Sequence, residues 1–111
     1  IMSCQYRSFI SLQILDYLKL QKGSEALVIW GLFREIERIS FLKEDPNIKL
    51  NGPFDYLDNI KAKSKKLDGK QIIYFKKKIA LLDIGFKNGK DNFWMNAERL
   101  IIEFIRPEFL Q

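Results

Sequence analysis

Histidine is absent from this chain of 111 residues, and cysteine occurs once, at Cys4. These absences exclude an imidazole general base, a Ser-His or Cys-His nucleophile pair, an internal disulfide and a cysteine metal cluster. Most zinc sites are excluded with them, because zinc in proteins is bound mainly by histidine and cysteine. We therefore expect no metal and no cofactor. Any catalysis has to use lysine, arginine, tyrosine or carboxylates.

Long apolar runs are also missing, since the longest, Ala26–Phe33, is too short to span a bilayer. Hydrophobic residues nevertheless make up 47% of the chain, which is enough to build one core. No repeat or linker divides the sequence. We expect a single domain over residues 1–111, located in the cytoplasm and without a membrane partner.

Acidic residues are scarce between residues 61 and 90, where ten lysines face only Asp68 and Asp83. The whole chain has a net charge of +5, so the excess of positive charge is concentrated in this third of the sequence. Such a concentration favours a polyanionic partner such as nucleic acid. The alternative is that the lysines only keep a hairpin soluble and protect the edge of a sheet.

Apolar residues at spacings of three and four predict three helices. The first runs from Phe9 to Leu20, and the second from an N-cap at Ser24 to about Leu42. The third runs from Phe93 to Ile105, just before Pro107. The first two, joined by a tight turn at Gly23, predict a helical hairpin.

Two runs rich in β-branched and aromatic residues predict strands. They are QIIYF (71–75) and IALLDIGF (79–86), with Lys76–Lys78 as the hairpin between them. Residues 54–63 suit either a third strand or a short helix, and residues 1–8 suit an edge strand. The predicted fold is therefore α+β: two N-terminal helices packed on a small antiparallel β-sheet, with a C-terminal helix.

The stretch KNGKDNF (87–93) resembles the end of the RelE/HigB-like toxins of type II toxin–antitoxin systems, where a central strand ends in a Lys-Asn-Glu-Lys-x-Asn-Leu type of motif. QIIYF is similar to their Arg-Ile-Ile-Tyr-Tyr strand, and LDNIKAK (57–63) to their Leu-Arg-Lys-Ile-Arg strand. The matches occur in the same order over residues 40–105. The resemblance implies a RelE-like fold and a toxin that cleaves mRNA on the ribosome without a metal. It also implies a cognate antitoxin protein that neutralises the toxin.

The same resemblance implies site residues. Lys61 and Lys87 would stabilise charge on the phosphate, Lys90 would bind the backbone or donate a proton, and Tyr74 would stack on a base or orient the 2′-hydroxyl. The predicted catalytic set is Lys61, Tyr74, Lys87 and Lys90, and the predicted RNA-binding set is Lys63, Lys65, Lys66 and Asn88. Gln71 stands where the family has an arginine, which leaves open whether the chain cleaves RNA or only keeps a basic face.

Two other functions fit the same residues. One is a non-catalytic nucleic-acid-binding module of winged-helix type, with residues 70–86 as the wing. The other is a protein-interaction domain whose lysines only confer solubility. A strand at residues 54–63 would favour the toxin, and a helix there would favour the winged-helix module.

Overall fold

The computed structural model describes residues 12–52, 54–89 and 92–106. These ranges contain five helices and no strand. In chain order the helices are α1 (Leu12–Lys19), α2 (Glu25–Glu44), α3 (Phe54–Lys66), α4 (Gly69–Lys87) and α5 (Phe93–Ile105). The predicted α+β fold on an antiparallel sheet, and with it the RelE-like architecture, is therefore wrong, because the described part of the chain is all-helical.

The three helices predicted from apolar spacing are confirmed as α1, α2 and α5. Ser24 occupies the N-cap position of α2, but its side chain makes no capping hydrogen bond. Its hydroxyl lies within hydrogen-bond distance of the carbonyl oxygens of Leu18 and Gln21. The Ser24 side chain thus contacts the backbone at and just after the end of α1, and in this way it joins the two helices. The edge strand predicted at residues 1–8 lies outside the described residues.

The predicted hairpin forms one continuous helix, α4, instead of two strands. Asp68 begins this helix with a capping box: its Oδ1 accepts a hydrogen bond from the backbone N–H of Gln71 at 2.8 Å, and Gln71 Oε1 accepts one from the backbone N–H of Asp68 at 3.0 Å. The buried residues of α4 recur every three or four positions: Ile72, Phe75, Ile79 and Leu82. They line one face of a helix, and so the apolar runs bury that face instead of pairing as strands.

Residues 54–63 adopt the helical alternative, as the first ten residues of α3. The wing of the winged-helix interpretation is absent from the described residues, because residues 70–86 belong to α4. Only two residues, Leu67 and Asp68, separate α3 from α4. Leu67 is fully buried, so this short connection is anchored in the core.

Helix α2 occupies the centre of the fold and packs against α1, α3 and α4, while α5 packs against α4 and α1. Their apolar faces form one core. Within it the rings of Phe75 in α4 and Phe104 in α5 meet edge to face, with centroids 5.1 Å apart. Aromatic pairs of this geometry contribute about 0.5–1.5 kcal/mol beyond the area they bury.

Replacing Gly85 by alanine is expected to stabilise the protein by about 0.5–1 kcal/mol, because glycine inside a helix is less favourable than alanine. A Cβ at this position would meet no atom within 4 Å. Gly89→Ala provides the contrast, since Gly89 has φ +69°, where a side chain is strained; we expect a loss of about 1 kcal/mol there. Urea denaturation followed by circular dichroism measures both changes, and equal effects at the two positions would contradict this description of α4.

Candidate functional site

The predicted catalytic residues that the structure describes belong to helices and do not lie at the end of a sheet. Lys61 is exposed on α3 and lines a groove between α3 and the α2–α3 connector. Tyr74 is half-buried on α4, facing α5. Lys87 is the last residue of α4, and its Nζ lies 3.2 Å from Asp83 Oδ2. Lys90 lies outside the described residues.

Lys61 and Tyr74 line different grooves. The groove lined by Lys61 includes neither Tyr74 nor Lys87, and the groove lined by Tyr74 includes neither lysine. The family resemblance placed these side chains together because strands of one sheet end at one edge. With helices in place of strands, that reason no longer holds.

The Tyr74 hydroxyl donates a hydrogen bond to Glu103 Oε1 at 2.8 Å. Burial of the phenol, the hydrogen bond to Glu103 and the negative charge of that carboxylate together raise the pKa of Tyr74 from 10.0 to about 12, and burial is the largest of the three causes. The phenol therefore keeps its proton throughout the physiological range. A general base needs a pKa near the working pH, so Tyr74 is poorly suited to remove a proton from a 2′-hydroxyl.

The Glu103→Gln variant is expected to lower the pKa of Tyr74, which should stay above 10.0 because burial of the phenol persists. In the wild type the folded-state pKa exceeds the unfolded value. The resulting stabilisation is therefore complete below about pH 10 and is lost as the pH rises towards 12. Phenolate absorbance during a pH titration measures the shift, with Glu98→Gln as a charge-matched control. An unchanged Tyr74 pKa in Glu103→Gln would contradict this hydrogen bond.

Lys63, predicted to bind RNA, points into the core. Its Nζ lies 3.0 Å from Glu35 Oε2, and the side chains of Lys63 and Glu35 are 9% and 1% exposed. The same ammonium lies 4.3 Å from the centroid of the Phe104 ring, within the range of a cation–π contact. Lys63 is therefore not part of the exposed basic surface predicted for it, and it serves instead to join α2, α3 and α5.

Lys63→Met is expected to reduce the free energy of unfolding by about 3–5 kcal/mol, because it leaves the Glu35 carboxylate buried without its cation. The double variant Lys63→Met/Glu35→Leu should recover most of this loss, since no buried charge remains. Lys65→Met, at an exposed position of the same helix, is the control and should change stability by less than about 0.5 kcal/mol. Urea denaturation measures the free energy of unfolding of the three variants. A double variant as unstable as Lys63→Met would contradict the assignment of Lys63 and Glu35 as a buried ion pair.

Between residues 61 and 78 seven other lysines of α3 and α4 are exposed, and we call this set the basic corner. It covers more than one side of α4, because Lys76 reaches Ser40 of α2 and Lys78 lies over the Tyr74 ring. Its members are Lys61, Lys65, Lys66, Lys70, Lys76, Lys77 and Lys78. Within the same span Asp68 is the one acidic residue, and its carboxylate is engaged in the capping box of α4. The predicted RNA-binding residues Lys65 and Lys66 belong to this set. Lys70 and Lys76–Lys78 were missed as a site, because the strand prediction made them a hairpin.

Asn88 lies at the end of α4, as its C-cap, and its backbone N–H donates to the carbonyl oxygens of Ile84 and Phe86. Gly89 follows with φ +69°, the left-handed conformation that commonly ends helices. Lys87, Asn88 and Gly89 therefore form a helix terminus. This position accounts for Asn88 and Gly89 by local structure, whereas the predicted contact of Asn88 with RNA stays a prediction.

The described residues contain no group of three or more acidic, cysteine or histidine side chains placed to hold a metal ion. None of their helices combines the length and apolar character needed to cross a bilayer. Comparisons of the chain with protein-family models, with curated proteins and with solved structures find no match. The candidate site therefore has to be judged on its own geometry and charge.

Proposed function

We propose that this chain is a non-catalytic nucleic-acid-binding module that contacts the phosphate backbone of duplex DNA through the basic corner. The observation that carries the proposal is the charge balance over residues 61–78, where seven lysines are exposed and Asp68 is the one acidic residue. A surface of this kind attracts polyanions and raises their rate of association. Such binding weakens steeply as salt is added.

The arrangement of α3 and α4 also supports duplex DNA as the partner. Helix-turn-helix proteins place the second of two closely connected helices in the major groove, with its first turns facing the bases. Here α4 follows α3 after two residues, and Lys70, Ile73 and Lys77 are exposed on it. Their spacing of three and four places them on one outward face of the first half of α4.

The helix at residues 54–63 is the outcome that the nucleic-acid-binding alternative required, although no wing accompanies it in the described residues. The endoribonuclease activity implied by the resemblance to RelE/HigB-like toxins stays a prediction, as do the ribosome, mRNA and antitoxin as partners. We do not build on that activity, because the sheet that was to gather its cations is replaced by helices.

The Lys70→Gln/Lys77→Gln variant tests the proposal. We expect the wild type to bind a fluorescent DNA duplex with an affinity that falls as the salt concentration rises. In a plot of log binding constant against log salt concentration, each contacted phosphate contributes about −0.9 to the slope. The variant should bind more weakly, and its slope should be smaller in magnitude by roughly 2, because two phosphate contacts are removed. Fluorescence anisotropy over a series of salt concentrations measures both quantities.

Lys19→Gln/Lys22→Gln is the matched control. It removes the same charge from exposed positions in and just after α1 and should keep the wild-type slope. No binding at low salt, or an equal loss in both variants, would contradict a site at the basic corner. A single-stranded RNA probe is incubated in parallel with a chelator present, and its cleavage would contradict the non-catalytic part of the proposal.

A further inference from the structure

A groove runs between α4 and α5, which lie antiparallel. The hydrogen bond from the Tyr74 hydroxyl to Glu103 closes one end of the helix pair. At the other end the rings of Phe86 and Phe93 approach with centroids 5.8 Å apart. From Tyr74 to Phe86 the groove follows α4 for about 18 Å, at 1.5 Å per residue.

Two cavities make up this groove, with volumes of about 230 Å³ and 210 Å³. They share the lining residues Leu81, Leu82 and Asn96, and so they lie next to each other along the groove. Four polar or charged residues line the rest of the first cavity together with Leu100, and we call it the polar half: Tyr74, Lys78, Arg99 and Glu103. The rest of the second cavity, which we call the apolar half, is lined by Ile84, Gly85, Phe86 and Phe93.

The polar half carries an unbalanced positive charge. Neither Lys78 nor Arg99 forms an ion pair with another described residue, and Lys78 contacts only the face of the Tyr74 ring, at 5.6 Å from its centroid. The Glu103 carboxylate already accepts the hydrogen bond of Tyr74. Two cations beside the Asn96 amide make a site for one anionic group, because a guanidinium and an ammonium together hold a carboxylate or phosphate well.

The apolar half needs a different kind of ligand group. Gly85 has no side chain, and a Cβ there would meet no atom within 4 Å, so the groove is open at this point. Leu81 and Ile84 are exposed beside it. Covering them with an apolar group would remove that surface from water, which contributes about 25 cal/mol per Å². A ligand that fits both halves therefore joins an anionic head to a short apolar chain.

We infer that the α4–α5 groove binds a small amphiphile, with its carboxylate or phosphate held by Lys78 and Arg99 and its apolar chain lying along Leu81, Ile84 and Gly85. This site shares Lys78 with the basic corner but does not use Lys70 or Lys77, on which the test of DNA binding depends. The two functions can therefore fail or succeed separately.

Isothermal titration calorimetry of the full chain tests the inference with octyl phosphate and with octanoate, each below the concentration at which it forms micelles. Both should bind, whereas octanol and inorganic phosphate should each bind at least about tenfold more weakly, since each lacks one half of the interaction. In nuclear magnetic resonance spectra of the same samples, the Gly85 backbone amide and the Asn96 side-chain amide should shift on binding. Tighter binding by one of the two amphiphiles distinguishes a phosphate from a carboxylate head.

Two variants probe the two halves of the groove. Lys78→Gln/Arg99→Gln should weaken octyl phosphate binding by about tenfold or more, because the head loses both cations. Gly85→Leu should weaken it as well by filling the apolar half. Lys70→Gln/Lys77→Gln is the charge-matched control, because neither lysine lines the groove, and it should keep wild-type affinity. Thermal unfolding of every variant checks that each is folded.

Several results would overturn the inference. These are octanol binding as tightly as octyl phosphate, inorganic phosphate doing the same, or an affinity for octyl phosphate that neither groove variant changes. Binding of an acidic helical peptide that depends on Lys78 and Arg99, in the absence of amphiphile binding, would assign the groove to a protein partner instead. Loss of DNA binding in Lys70→Gln/Lys77→Gln with normal amphiphile binding supports both proposals.

Discussion

A buried pair of opposite charges, Lys63 and Glu35, joins the helices of this fold. Taking two ions out of water costs several kcal/mol for each, and only close contact with further polar or aromatic partners offsets that loss. Here the ammonium contacts both the Glu35 carboxylate and the Phe104 ring, and Phe104 in turn packs on Phe75. The chain of contacts runs from α2 through α3 and α5 to α4. It fixes the rotation of α3 about its axis, and with it the direction of every lysine on that helix.

The connection between α3 and α4 determines how the basic residues are shared between two helices. Leu67 is fully buried, and Asp68 both ends the connection and caps α4 through Gln71. Because the chain turns within two residues, Lys65 and Lys66 at the end of α3 lie close in sequence and in space to Lys70 in the first turn of α4. The Asp68 carboxylate lies at the N-terminus of α4, where a negative charge is favourable, and it offsets only one of the neighbouring positive charges.

Sequence reasoning located α1, α2 and α5 because their apolar spacing is helical and nothing in their composition opposes it. For α4 the same reasoning predicted two strands, because Ile72–Phe75 and Ile79–Phe86 are rich in residues that favour strands. Strand preference depends strongly on context, whereas the spacing of Ile72, Phe75 and Ile79 and the Asp68–Gln71 pair are local signals for a helix. Three consecutive lysines seemed to divide the segment, yet a single helix accommodates them on its exposed side.

The helical period of α3 also determines which lysines of the predicted site are exposed. In a strand, residues at positions i, i+2 and i+4 share one face, and so Lys61, Lys63 and Lys65 would all reach the same ligand. In a helix each successive side chain is rotated by about 100° about the helix axis. Lys61 and Lys65 therefore lie on the outer side of α3, and Lys63 lies on the opposite, buried side. The excess charge of this segment was correctly located from composition alone. Which lysines stay available to a partner depends on the helical period and on the Glu35 carboxylate, which lies 28 residues away in sequence and which no local pattern pairs with Lys63.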